Sequence, residues 1–223
     1  MTATDPHEPA ISNQDRTIGT VVESRSQMDY LVEVYRERDR ERPPEKADYA
    51  FGQPVYSSTT VQGEEYALIG VVYDSRLVDP EQGRDGPRLS NPDQEMFVPG
   101  YVDEKQTLLG VAFLGAARLK NRESGPGSDF ETVDQELPRW TLDVDDQVQK
   151  LSTAGFRAFH FPDGNLALEY YDRLVATADT FGAEVTLAIL DRLRREADTQ
   201  ASVLDVIEQK VRWEAKRDRG VLR

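Results

Sequence analysis

The chain contains no cysteine. That single absence excludes disulfides, thiolate nucleophiles, iron–sulfur clusters and cysteine-based zinc sites. Histidine is almost as scarce: His7 and His160 are the only two. No histidine-rich metal site is expected, and no metal or cofactor is called for. Lysine is sparse as well, found only at Lys46, Lys105, Lys120, Lys150, Lys210 and Lys216. No apolar run approaches the roughly 18 residues that a membrane helix needs. Residues 1–14 are polar and carry Asp5, Pro6 and Glu8, unlike the basic-then-apolar layout of a secretion signal. Residues 1–15 read as a disordered tail, and the expected location is the cytoplasm.

What is abundant is negative charge. Over 223 residues, 41 acidic side chains face 27 basic ones, a formal net charge of -14. A surface rich in Asp and Glu and poor in Lys suits the salt-loaded cytoplasm of a halophilic archaeon, where charge repulsion is screened within about 3 Å at 1 M salt. The alternative is an ordinary acidic protein from a low-salt cell. In either setting the balance weighs against nucleic acid, whose phosphates need a basic face. The weight is smaller in a halophile, where acidity is general.

Hydrophobic periodicity divides the chain in two. Residues 17–23, 29–35, 49–56, 66–73 and 108–116 have strand patterns. In 29–35, Tyr30, Val32 and Val34 alternate with Leu31, Glu33 and Tyr35. Residues 66–73 form a nearly unbroken apolar run, as in a strand buried on both faces. Gly52 and Pro54 suggest a bend, and Val61-Gln62-Gly63-Glu64 a hairpin turn. Residues 74–105 form a long connection containing Pro80, Gly83, Gly86, Pro87, Pro92, Pro99 and Gly100. Connections beyond about 12–15 residues are usually functional or disordered, so this one is the first candidate for a binding surface. Its partner-contact candidates are Arg76, Arg88 and Tyr101.

After a glycine- and proline-punctuated boundary at 119–138, the period becomes helical. Asp143, Asp145 and Asp146 suit the first turn of a helix leading into Val148 and Leu151. Asn165 is placed to cap a helix carrying Leu166, Tyr170, Leu174 and Ala178. Thr180 is placed to cap another, with Val185, Ile189 and Leu193 on one stripe. Ser202 and Asp205 precede a last helix with Val203, Leu204, Ile207 and Val211. The expected fold is therefore α+β, a small antiparallel β-barrel over 16–118 followed by a linker (119–138) and a short helical bundle (139–217).

Catalytic motifs are missing. There is no phosphate-binding Gly-x-x-x-x-Gly-Lys loop and no Gly-x-Ser-x-Gly elbow. Gly125-Pro126-Gly127-Ser128 reads as linker. His160, in Phe159-His160-Phe161-Pro162-Asp163-Gly164, sits at a turn signal and reads as a structural histidine bonded to backbone. Trp140 and Trp213 are expected to seal the helical core or the junction. The chain is not expected to be an enzyme.

The first half resembles the HAS-barrel family, the small six-stranded barrel at the N-terminus of HerA-type DNA-translocating ATPases and of ATP synthase subunits. The resemblance rests on Ile18-Gly19-Thr20-Val21-Val22, Tyr30-Leu31-Val32-Glu33-Val34, Phe51-Gly52-Gln53-Pro54-Val55 and Leu68-Ile69-Gly70-Val71-Val72. No ATPase core follows, so none of that chemistry carries over. The resemblance implies a non-catalytic interaction or adaptor protein that docks to a HerA-like ATPase or nuclease in DNA repair, with ring-like self-association open to it. The alternative is a barrel that binds DNA or RNA directly, which would need a basic face drawn from Arg76, Arg84, Arg88, Arg118 and Arg122.

Overall fold

A strand that is apolar at successive positions is stable only with cover on both faces. Residues 66–73 have that cover. The computed structural model describes residues 9–12, 15–78, 106–120, 127–177, 181–196 and 201–218. In it Leu68 and Val72 point into a barrel, among Ile18, Val21, Val55, Val111 and Phe113. Ala67, Ile69, Val71 and Tyr73 point outward, into a second core shared with the helices. One run of residues thus serves two hydrophobic cores.

The strands are β1 (Ile11–Ser12), β2 (Thr17–Ser24), β3 (Asp29–Val34), β4 (Pro54–Val61), β5 (Glu64–Val78), β6 (Gln106–Leu119), β7 (Gly127–Ser128), β8 (Phe130–Asp134) and β9 (Gln147–Lys150). The antiparallel order β3-β2-β9-β4-β5-β6 closes through a further β3–β6 pairing, giving a six-stranded barrel. Closure removes the open edges that a flat sheet would keep. The interior is filled by side chains; Tyr30 and Phe113 meet there edge to face, 5.3 Å between centroids. β6 then forks from the barrel. Its residues 108–112 pair with β3, and its residues 116–119 pair with β8. β8 ends the sheet, while β1 and β7 form a separate two-stranded pair.

The β4–β5 turn matches its sequence signal. Gln62 and Gly63 have φ of 54° and 87°, the left-handed pair that a tight hairpin requires. Among the described residues four α-helices follow: α1 (Thr153–His160), α2 (Tyr171–Thr177), α3 (Gly182–Glu196) and α4 (Ala201–Asp218). The Ser152 hydroxyl caps α1 by accepting the Gly155 N–H at 3.0 Å. Val185, Ile189 and Leu193 are buried along α3, as their spacing predicts. No helix among the described residues is long and apolar enough to cross a membrane.

Several expectations fail, each for a physical reason. Asp143, Asp145 and Asp146 do not start a helix. They form a turn in which the Asp146 carboxylate accepts the Asp143 N–H at 2.8 Å and Asp145 takes φ 74°. The turn feeds β9, the barrel's sixth strand, where Val148 is fully buried. The barrel therefore does not end at 118, and the 119–138 segment, expected to be a linker, holds β7 and β8.

Nor does a helix start at Asn165; α2 begins at Tyr171. The buried Gln135 side chain explains why. Its amide nitrogen donates to the Phe159 and Ala167 carbonyls at 2.9 and 3.1 Å, and its oxygen accepts the Glu169 N–H at 2.9 Å. Backbone groups satisfied in this way have no need of helical partners. Residues 49–53 are not strand: 46–49 form a 3-10 turn and β4 begins at Pro54. The 1–15 tail is not wholly without structure, since β1 lies in it and Ala10 and Ile11 are buried. Of the expected caps, Thr180 lies outside the described residues and Ser202 falls inside α4.

Candidate functional site

The fork in β6 creates a surface groove that draws on several elements at once. Tyr66, Arg118 and Thr132 are cross-strand partners on β5, β6 and β8, and so are Leu68, Ala116 and Asp134. Leu68 points into the barrel. Side chains two residues apart share a face, so both rows continue the barrel's inner surface beyond the point where β3 leaves β6. The segment from Glu136 to Trp140 forms the facing wall, and the groove holds about 240 Å³. Two hydrogen bonds fix that wall. Gln27 donates to the Pro138 carbonyl at 2.9 Å, and the Leu142 N–H donates to the buried Tyr30 hydroxyl at 3.2 Å.

The lining is both aromatic and charged. Trp140 lies on Tyr66, 4.6 Å between centroids and tilted by 47°. Leu137 beside them is 47% exposed. Arg118 is committed to the acidic residues around it, with Glu131 at 2.9 Å and Glu64 at 4.0 Å, and its Nε is buried without an acceptor. Asp134 and Glu136 line the same groove. One Asp134 oxygen accepts the Glu136 N–H at 2.8 Å, which fixes the turn after β8.

The sequence-derived candidates lie elsewhere. Arg76 projects from the far end of β5, well exposed, with its Nε 3.0 Å from Asp74. It does not line the groove. Arg88 and Tyr101 fall outside the described residues, as do Arg84 and Arg122. Of the arginines weighed for a basic face, Arg118 does line the groove, but carboxylates neutralise it. Trp140 forms a groove wall rather than a seal on the helical core, and Trp213 stands 53% exposed on α4. Thr132, Asp134, Glu136 and Leu137 escape sequence reasoning because they fall in the segment with linker composition. The signal available there is Leu137-Pro138-Arg139-Trp140, an apolar and aromatic cluster unusual for a linker.

The other ionisable groups in the interior serve the fold. His160 is fully buried. The Phe156 carbonyl, 2.8 Å from Nδ1, requires the proton there, leaving Nε2 to accept from the Tyr170 hydroxyl at 2.7 Å. Burial pushes the imidazole pKa down to about 4 and the Tyr170 phenol up. Burial likewise raises Asp15, which accepts the Tyr56 hydroxyl at 3.0 Å. It raises Tyr73 to about 12, with the hydroxyl donating to Asp29 at 2.7 Å. None of these groups lines the groove. No cluster of three or more potential metal ligands occurs among the described residues.

A family model described as a domain of unknown function, DUF8166, matches residues 1–222. The chain belongs to this family. The match spans the barrel, the fork and the helices described above. No curated protein matches the chain.

Proposed function

We propose that this protein is a non-catalytic adaptor that docks a protein partner, and that the partner is a HerA-like DNA-processing ATPase or its nuclease. The observation that carries the docking role is the groove at the fork. Trp140, Tyr66 and Leu137 line it on a wall fixed by strands and by two hydrogen bonds, in an otherwise strongly acidic protein. Large apolar side chains kept at a rigid surface mark interaction sites. The partner class rests on the HAS-barrel resemblance of the barrel strands. The lack of a catalytic motif in the sequence supports an adaptor over an enzyme. The ion pairs at Arg76 and Arg118 favour a protein partner over nucleic acid, because both cations are already matched by carboxylates. An acidic, lysine-poor surface fits work in a salty cytoplasm.

The test is affinity capture from native cell extract at its own salt, with and without nuclease treatment. Recovery of an ATPase or nuclease in both samples is expected. Recovery only in the untreated sample would show that nucleic acid bridges the contact and would overturn the reading.

A further inference from the structure

We infer that the outer edge of β8, together with the groove beside it, docks an extended peptide segment of a protein partner carrying a basic residue two positions from an apolar one. This deepens the adaptor reading and rests on it. The seven-stranded order ends at β8, so among the described residues this strand has a partner on one side only. A terminal strand presents unpaired N–H and C=O groups to which an extended chain can add. Val133 packs into the helical core, which puts the helices on that face of β8. Glu131, Thr132 and Asp134 are exposed, and Thr132 and Asp134 line the groove.

Two features of the occupant follow from this arrangement. Alternate side chains of an added strand face the same side, so two residues at i and i+2 would address the groove together. The one level with Thr132 enters the groove that Trp140, Tyr66 and Leu137 line, whose volume of about 240 Å³ accepts one large apolar side chain. The other meets Asp134 and Glu136, which form no ion pair among the described residues, whereas Arg118 on the same face is held by Glu131 and Glu64. Arg139 is the remaining charged group of the lining and leaves the acidic pair in excess. A second copy of this chain fits poorly, because pairing β8 with β8 would set Glu131 and Asp134 against other carboxylates. Like charges directly opposite each other are destabilising.

The test uses a random dodecapeptide phage-display library selected on the full chain carrying Trp213→Phe, so that Trp140 is the only tryptophan. Selected peptides should share a basic and an apolar residue at i and i+2 and shift the Trp140 emission. They should also slow amide exchange in residues 130–134. Asp134→Lys with Glu136→Lys, both at exposed positions, should weaken binding by about tenfold or more. Trp140→Ala should weaken it similarly, and circular dichroism checks the fold of each variant. Peptides whose affinity ignores both variants, or that leave β8 exchange unchanged, would overturn the proposal, as would a library without binders. Dimer formation by the parent chain that Trp140→Ala abolishes, or that Asp134→Lys strengthens, would assign the edge to a second copy and overturn it too. If native capture recovers a partner whose binding survives these variants, the adaptor role stands and this surface is wrong.

Discussion

Replacing Gln135 by Leu tests whether one buried amide holds the end of β8 to the segment before α2. In the native protein its side chain satisfies three backbone groups: the Phe159 carbonyl, the Ala167 carbonyl and the Glu169 N–H. Gln135 is only 4% exposed, so water does not readily take its place. Leucine fits the volume and leaves all three groups unpaired. The buried Phe159 carbonyl, left unpaired, costs about 1–3 kcal/mol, and the part-buried Ala167 and Glu169 groups cost less because water reaches them, so the expected loss is about 2–4 kcal/mol. That is a large share of the roughly 5–15 kcal/mol available to a domain. Gln135→Glu tests the two halves of the amide separately. Its carboxylate keeps the acceptor for Glu169 but turns a negative charge toward two carbonyls, so it should be worse than leucine at neutral pH and recover in acid. The assay is urea unfolding followed by circular dichroism at fixed high salt, with amide exchange over 159–170. A Gln135→Leu variant within about 1 kcal/mol of the parent, with unchanged exchange, would refute the role assigned to the amide.

Other expected outcomes follow from the same structure. His160 has a folded pKa of about 4 against 6.5 unfolded. Its contribution is therefore complete above pH 6.5 and is lost as pH falls toward 4, by about 3 kcal/mol. The stability difference between the parent and His160→Gln should change across that window, and a flat difference would contradict the buried neutral imidazole. With a net charge of -14, thermal stability should climb as salt rises from about 0.1 M toward 1 M, where screening nears completion. A melting temperature that falls with salt, read by calorimetry, would dismiss charge repulsion as a limiting term. Gly115→Ala would drive a methyl group into the Asp134 carbonyl and the Gln135 backbone. It should cost about 1–3 kcal/mol and loosen β8 before the barrel, an order that amide exchange can check.

Where local chemistry decides structure, the sequence is readable. The two-sided burial of 66–73, the Gln62-Gly63 turn and the α3 stripe each follow from the side chains of the segment itself. Where a distant partner decides, it is not. The segment from Gln147 to Lys150 is too short to show a period, and it becomes a strand because it pairs with β2 on one side and β4 on the other. Residues 165–170 have helical spacing, yet Gln135 takes backbone groups that a helix would use. The groove is hidden for the same reason. Tyr66, Arg118, Thr132 and Trp140 are brought together by strand register, not by sequence proximity, and glycine and proline at 125–126 give the region the composition of a tether. By composition alone the long connection at 74–105 is the stronger binding candidate, and of it only residues 74–78, the end of β5, are described.

The most direct test of the docking role compares partner recovery by the parent chain and by a variant combining Trp140→Ala, Asp134→Lys and Glu136→Lys. Both are used as baits in nuclease-treated native extract at the cell's own salt. The parent should recover an ATPase or nuclease, and the folded variant should lose it. Equal recovery by both baits would contradict the claim that the groove at the fork is the docking surface.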